Sequence, residues 1–246
     1  MEGITTYATG NDTGYRVEPK YHTHTVIFLH GRDSNAREFA DEFFESEASK
    51  PENQPRTLLD LFPSIKWVFP NAPASHSERF GSQMSQWFDM WSVDNPREHP
   101  ELQRPGLERS IEQILDVIKN EERLVPRERI FLCGISQGFA TAVATFFATR
   151  EEFAGLLGLC SWMPIETHIQ GVMRDSCLGN KTPVFLSHSL DDDVVPINNG
   201  RELRDSILSY GLHVEWREYE DGGHWINEPK GVDDIVQFLS KHLSVD

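Results

Sequence analysis

From Arg129 to Thr149 the chain carries a short apolar run, a Gly-x-Ser-x-Gly link and a small-residue segment, and few folds accommodate that succession. Ile130 to Cys133 is uncharged and has the length of a strand buried on both faces. Gln137 to Thr149 (QGFATAVATFFAT) is small and apolar enough to pack closely as a helix. In a strand–turn–helix, Gly134-x-Ser136-x-Gly138 is a strained turn with the serine hydroxyl exposed, and the glycines leave room where a Cβ would clash. The hydroxyl then lies at a helix N-terminus, where unpaired N–H groups can stabilise an oxyanion. Short motifs also arise by accident, so the rest of the chain has to decide.

Strand and helix patterns alternate along the chain. Residues 3 to 20 read as one or two short edge strands broken at Gly10-Asn11-Asp12. Thr25 to Leu29 is a β-branched, apolar central strand that runs into His30-Gly31-Arg32-Asp33-Ser34-Asn35. Two readings of that loop are open. Gly31 lets backbone N–H groups turn inward as an oxyanion loop, or it only makes a turn while Ser34 or Asn35 caps the next helix. Helical spacing is expected over 36–46, 106–122, 199–209 and 231–243, and strands over 65–69, 153–160, 183–187 and 213–219. This alternation predicts an α/β fold as one domain over 1–246, with a mostly parallel central sheet and helices on both faces. No composition shift resembles a linker. The segment 75–104 fits neither pattern and carries Phe80, Met84, Trp87, Phe88, Met90 and Trp91. It reads as a lid over an apolar pocket or as rings packing the edge of the core. Asp89 reads as a structural acceptor.

A serine hydroxyl needs a base within reach, and the base needs a carboxylate to fix its tautomer and stabilise the imidazolium. In a parallel sheet, loops after successive strands share one edge. Ser136, the Asp191-Asp192-Asp193 loop and the Gly222-Gly223-His224 loop are therefore expected to be neighbours. Their order, Ser then Asp then His, is that of α/β-hydrolases. Among the 10 histidines, His224 follows a glycine pair at a strand exit, which suits a loop that aims the ring. Local pattern does not choose among the aspartates.

Composition excludes some classes. With 39 acidic against 23 basic residues and a net charge of −16, the surface repels nucleic-acid phosphate and anionic headgroups. Cys133, Cys160 and Cys177 have no paired spacing and read as reduced core thiols, which points to a cytoplasmic protein without zinc site or disulfide framework. No segment has the length of a signal peptide's apolar core or of a membrane span.

The residues FLHG (Phe28 to Gly31), Trp87-Phe88-Asp89, the Gly-Leu pair at Gly106, GISQG, Ser161 with Pro164, DDVVP (Asp192 to Pro196) and GGH give the chain, from about Thr25 onward, a specific similarity. It resembles the phospholipase/carboxylesterase family of α/β-hydrolases that includes the acyl-protein thioesterases. The resemblance implies Ser136 as nucleophile, His224 as base and Asp192 as acid, with the backbone amides of Arg32 and Gln137 as the oxyanion hole. It implies hydrolysis of carboxylic esters or thioesters through an acyl-enzyme, with no metal or cofactor. Arg32, Trp87, Phe88, Trp162 and Trp225 are the expected substrate-binding residues, with Arg32 set to meet an anionic or polar substituent. The expected partner is a small-molecule or acylated substrate, with no nucleic acid and no stable membrane insertion; a homodimer is compatible with the chain. The sequence departs from the thioesterase branch at Arg32-Asp33-Ser34, where Leu-Gly-Asp is usual, at Gly138-Phe139 in place of Gly-Gly, and at His188-Ser189 in place of His-Gly. Two rivals keep the same fold: an acyltransferase or carbon–carbon bond hydrolase using the same triad, and a non-catalytic binding protein.

Overall fold

The central strand β2 (His24–Leu29) is buried along its whole length, and its two neighbours set the architecture. On one side it pairs in parallel with β3 (Ile65–Phe69), on the other with β6 (Ile130–Ile135), bringing Val26 opposite Trp67 and Ile27 opposite Leu132. The computed structural model describes residues 14–164 and 181–243. Cys177 and the first part of the expected N-terminal edge strands lie outside them.

The sheet has seven strands in the order β1-β3-β2-β6-β7-β8-β9, with β1 (Tyr15–Val17), β7 (Gly155–Leu159), β8 (Val184–Ser189) and β9 (Val214–Tyr219) completing it. Every pairing is parallel except that of β1 with β3. The order reverses between β2 and β6. At such a switch point the loops leaving the two strands diverge and open a crevice at their carboxyl ends. Here those loops begin at His30 and Ser136.

Alternation along the strands feeds two cores. Ile27, Leu29 and Leu132 face α3 (Gln103–Glu121), α4 (Gln137–Thr149) and α5 (Ile197–Ser209), where they join Ile114, Phe139, Val143 and Ile207. Val26, Phe28, Phe131 and Cys133 face α1 (Ala36–Phe43) and α6 (Lys230–His242), where they join Phe39, Phe43, Ile235 and Phe238. The helix over 36–46 is shorter than its spacing suggests. Asn35 begins it by accepting from the N–H groups of Arg37 and Glu38, and it ends at Phe43. A second short helix, α2 (Leu58–Leu61), is closed by a Thr57/Asp60 capping box.

The segment 75–104, which fits neither periodic pattern, does contain regular structure. It opens with an antiparallel hairpin, β4 (Ala74–Ser77) and β5 (Ser82–Ser85), and Phe80 at its tip is 56% exposed. It then folds inward at Trp87-Phe88 and ends in a 3-10 turn over Pro100–Leu102. Helix α3 starts at Gln103, ahead of Gly106. The glycine serves close approach instead: a Cβ there would lie 2.7 Å from the Phe88 Cα.

Candidate active site

Ser136 sits between β6 and α4 at φ 54° and ψ −128°, a conformation an L-residue adopts only when its surroundings compel it. The surroundings are specific. The Ser136 N–H donates to Leu159 O at 2.9 Å, and the Ser161 hydroxyl donates to Ser136 O at 2.7 Å. Both glycines of the motif are sterically required. A Cβ on Gly134 would meet Phe139 N at 2.5 Å, and one on Gly138 would meet Leu29 O at 2.2 Å and His30 O at 2.5 Å. Helix α4 is thus driven against the end of β2, and the turn that carries the serine is held tight.

The loop after β2 lies against the same serine, since a Cβ on Gly31 would be 3.7 Å from Ser136 Cβ. As the first residue of α4, Gln137 has no intrahelical acceptor for its N–H. His30 braces the loop. It is fully buried, Ala72 N–H donates to its Nε2 at 3.0 Å, and its Nδ1 therefore carries the hydrogen that it donates to Gly31 O at 2.7 Å. Burial lowers its pKa to about 4, so it stays neutral.

The acid loop follows β8 and the histidine loop follows β9. His224 Nδ1 is 2.8 Å from Asp192 Oδ2. The three aspartates divide their work: Asp191 accepts the Gly223 N–H at 2.9 Å and so shapes the histidine loop, Asp192 is buried, and Asp193 is exposed. Asp192 Oδ1 accepts the N–H groups of Val194 and Val195 at 2.9 and 2.8 Å. Burial pushes its carboxyl upward, but the hydrogen bonds from His188 and His224, with that from Val195, prevail and hold it well below the usual carboxylate range. Cys160, at the exit of β7, connects the two halves. Its neighbours Leu159 and Ser161 grip Ser136, while its Sγ lies 4.0 Å from Gly223 O and 3.5 Å from Trp225 O, on either side of His224.

Among the described residues, the donor atoms of Cys160, Asp192 and His224 form one cluster of metal-ligating type, within 4.8 Å of one another. The imidazole and the carboxylate in it already bond each other.

The expected substrate-binding residues fare differently. Trp87, Phe88 and Trp162 are each 1% exposed and belong to the core, which corrects their assignment to a pocket wall. For Trp87 and Phe88 the reason is a clamp: Gln137 Oε1 accepts the Trp87 N–H at 2.9 Å, Gln137 Nε2 donates to Phe88 O at 2.7 Å, and Trp87 Nε1 donates to His30 O at 2.8 Å. The Arg32 side chain also points elsewhere than to a substituent in the site. It donates to Ser77 Oγ at 2.9 Å, lies 3.8 Å from Asp89 Oδ1 and stacks on Phe80, which ties the loop after β2 to the hairpin. Asp89 acts as the structural acceptor expected of it, also receiving the Glu78 N–H at 3.0 Å. Trp225 is half-buried and sets its ring edge-on to Phe39, 5.7 Å away. His188, to which no role attaches in the sequence, proves to touch Asp192; the signal for it was its place four residues before the acid.

The sequence profile of the phospholipase/carboxylesterase family matches residues 16–243. The chain is 30% identical over 226 residues to acyl-protein thioesterase 1 of Yarrowia lipolytica, covering 90% of this chain and 93% of that protein. It is 28% identical over 228 residues to a probable carboxylesterase, SOBER1-like, of Arabidopsis thaliana, covering 87% and 81%. In fold it is similar to the crystal structures of Zea mays acyl-protein thioesterase 2 (TM-score 0.75, 22% identity, 94% of this chain and 98% of that one) and of Arabidopsis thaliana SOBER1 (TM-score 0.74, 22% identity, 90% and 99%). With an α/β-hydrolase fold and a profile match spanning nearly its whole length, the chain belongs to the phospholipase/carboxylesterase family.

Proposed function

We propose that this chain is a serine hydrolase that cleaves carboxylic esters or thioesters through an acyl-enzyme formed on Ser136. The observation that carries the reading is the 2.8 Å His224–Asp192 hydrogen bond, on loops that leave the same edge of the parallel sheet as the turn holding Ser136 at positive φ. His224 Nε2 takes the hydroxyl proton as Ser136 Oγ attacks the acyl carbon. Asp192 keeps the remaining imidazole hydrogen on Nδ1 and stabilises the imidazolium. The amides of Arg32 and Gln137 receive the oxyanion, which in comparable enzymes is worth roughly a hundred- to a thousandfold per donor. His224 returns its proton to the leaving alkoxide or thiolate, and water activated by the same imidazole releases the acid. The names of its relatives, thioesterase and carboxylesterase, agree with this chemistry. The buried, reduced Cys133 and Cys160 suit a cytoplasmic setting.

The test is hydrolysis of short and long p-nitrophenyl esters, an acyl thioester and a lysophospholipid, beside Ser136→Ala and labelling with a fluorophosphonate. The expected result is a labelled wild type and a loss of at least about 10⁴-fold in Ser136→Ala. Equal rates for the two proteins would remove the assignment. Label without hydrolysis, but with transfer of the acyl group to an added alcohol or amine, would favour an acyltransferase instead.

A further inference from the structure

We infer that His188 is a positioning residue for the triad acid: a second imidazole bound to the same carboxylate oxygen that receives His224. The inference rests on the hydrolase reading and adds a residue to it.

His188 lies near the end of β8, four residues before Asp192, and its side chain is fully buried. Its Nε2 is 2.8 Å from Val195 O and 3.1 Å from Asp192 Oδ2. Both neighbours accept, so the hydrogen must sit on Nε2 and is shared between them. On the other edge of the ring, Nδ1 has no hydrogen-bond partner among the described residues. It faces the backbone of α5, where a Cβ on Gly200 would lie only 2.4 Å from Nδ1. The glycine therefore opens the slot that the ring fills. Helix, ring, carboxylate and base form a stack in which α5 sets the ring, the ring sets Asp192, and Asp192 sets His224.

The second imidazole has an electrostatic effect as well as a steric one. Asp192 has four donors: the amides of Val194 and Val195 on Oδ1, and His224 and His188 on Oδ2. A carboxylate so supplied remains an anion and does not draw the proton off His224 as the imidazolium forms. The His188 N–H also withdraws charge from Oδ2, which makes the imidazolium of His224 less favourable. Removing that donor should therefore move protonation of the base to higher pH. Among the described residues, the other ionisable groups around this stack include Cys160, whose Sγ lies in the same cluster, Asp191 on the acid loop, and the Arg201–Glu218 pair. Glu218 stands opposite His188 across the β8–β9 pairing, and its carboxylate is occupied by Arg201 and by Trp216 Nε1.

The experiment compares wild type with His188→Leu, which fills the slot without a donor, and His188→Gln, whose amide nitrogen reaches the position of Nε2. Each is assayed as kcat and KM per site titrated with fluorophosphonate, across pH, and by the low-field proton resonance of the His224–Asp192 hydrogen bond. In the Leu variant kcat is expected to fall about 10- to 100-fold with little change in KM, the scale set by a small misplacement of a catalytic group. The acid limb of the pH profile should rise by about 0.3 to 1 pH unit, the low-field resonance should shift, and Gln should recover most of the loss. Should Leu fail to fold, His188→Asn replaces it, since its shorter amide stops short of Asp192. A donor-less variant that titrates fully and matches wild type in kcat and acid limb would overturn the inference, as would a Gln variant no better than Leu. A wild type that neither labels nor hydrolyses would instead remove the hydrolase reading, and this inference with it.

Discussion

Gln137 joins two parts of the molecule that the site needs in register, and its replacement separates packing from chemistry. The side chain is fully buried, accepts from Trp87 N–H at 2.9 Å and donates to Phe88 O at 2.7 Å, while its own backbone amide is one of the proposed oxyanion donors. Gln137→Ala keeps the amide and strands a backbone donor and a backbone acceptor, both inside the core. Each unsatisfied buried group costs about 1–3 kcal/mol, so the pair costs about 2–6 kcal/mol. For a chain of this size, where 1 kcal/mol moves Tm by roughly 2–4 °C, the midpoint should fall by at least about 4 °C. Gln137→Glu discriminates further. A protonated carboxyl can reproduce both hydrogen bonds, with its carbonyl oxygen toward Trp87 N–H and its hydroxyl toward Phe88 O; a carboxylate sets two acceptors face to face. The folded state thus favours the protonated form and raises the carboxyl pKa above its unfolded value of about 4.3. By linkage this variant should approach wild-type stability below about pH 4 and lose ground as pH rises toward the raised folded pKa. Thermal melts of the three proteins between pH 4 and 8 read this directly. A Gln137→Ala midpoint within about 1 °C of wild type, or a Gln137→Glu deficit that does not change with pH, would refute the clamp.

Three further outcomes are expected. Asp192→Asn should fold and label slowly, with kcat lower by about 10⁴-fold as in other Ser-His-Asp triads. Because the Asp192 carboxyl is held below its ordinary range, its contribution to stability is present above its unfolded pKa of about 3.9 and is lost as pH falls through the folded value, so melts of wild type and Asp192→Asn should converge in acid. At the opposite end of the sheet from the site, Lys66 and Glu121 form a buried ion pair at 3.0 Å. Lys66→Met should destabilise by about 3–5 kcal/mol in denaturant melts, whereas Lys66→Met with Glu121→Leu should recover most of it. Burial, joined at Cys160 by the Asp192 charge, pushes the thiols of Cys133 and Cys160 far above their ordinary range. In a Cys177→Ser chain a disulfide reagent should therefore titrate no thiol before unfolding, and both after it.

The strands were legible because parallel strands covered on both faces read as unbroken apolar runs; Ile65 to Phe69 has in the structure the bounds its composition implies. The hairpin β4–β5 was not. ASHS and SQMS stand largely exposed, so no apolar alternation marks them, and the pairing comes from the backbone and the turn at Gly81, φ 60°. The aromatics after it were misread for a related reason. Trp87 and Phe88 sit outside any periodic segment, which makes them look like the wall of a pocket, yet hydrogen bonds to and from Gln137 and to His30 draw the irregular backbone into the core. Periodicity reports burial only where the backbone repeats.

The site shows the same division between what local pattern carries and what the fold supplies. The Gly-x-Ser-x-Gly turn was readable because its constraint is local: two positions admit no Cβ, and the serine must take a conformation that few residues tolerate. The aspartates could not be ranked locally because nothing in Asp191-Asp192-Asp193 distinguishes them until the chain turns. Once the N–H groups of Val194 and Val195 point back at the middle residue, its carboxylate is the one fixed in the interior, and Asp191 is left to receive the Gly223 N–H that shapes the loop of the base. Buried acceptors and donors are mostly paired, and neighbours of the proposed triad are recruited by what would otherwise stay unsatisfied: Ser161 by the Ser136 carbonyl, His188 by Val195 and Asp192, and Arg32 by Ser77. A substitution in that surrounding network should thus act on catalysis through the geometry of the proposed His224–Ser136 pair, even where the substituted residue never touches a substrate.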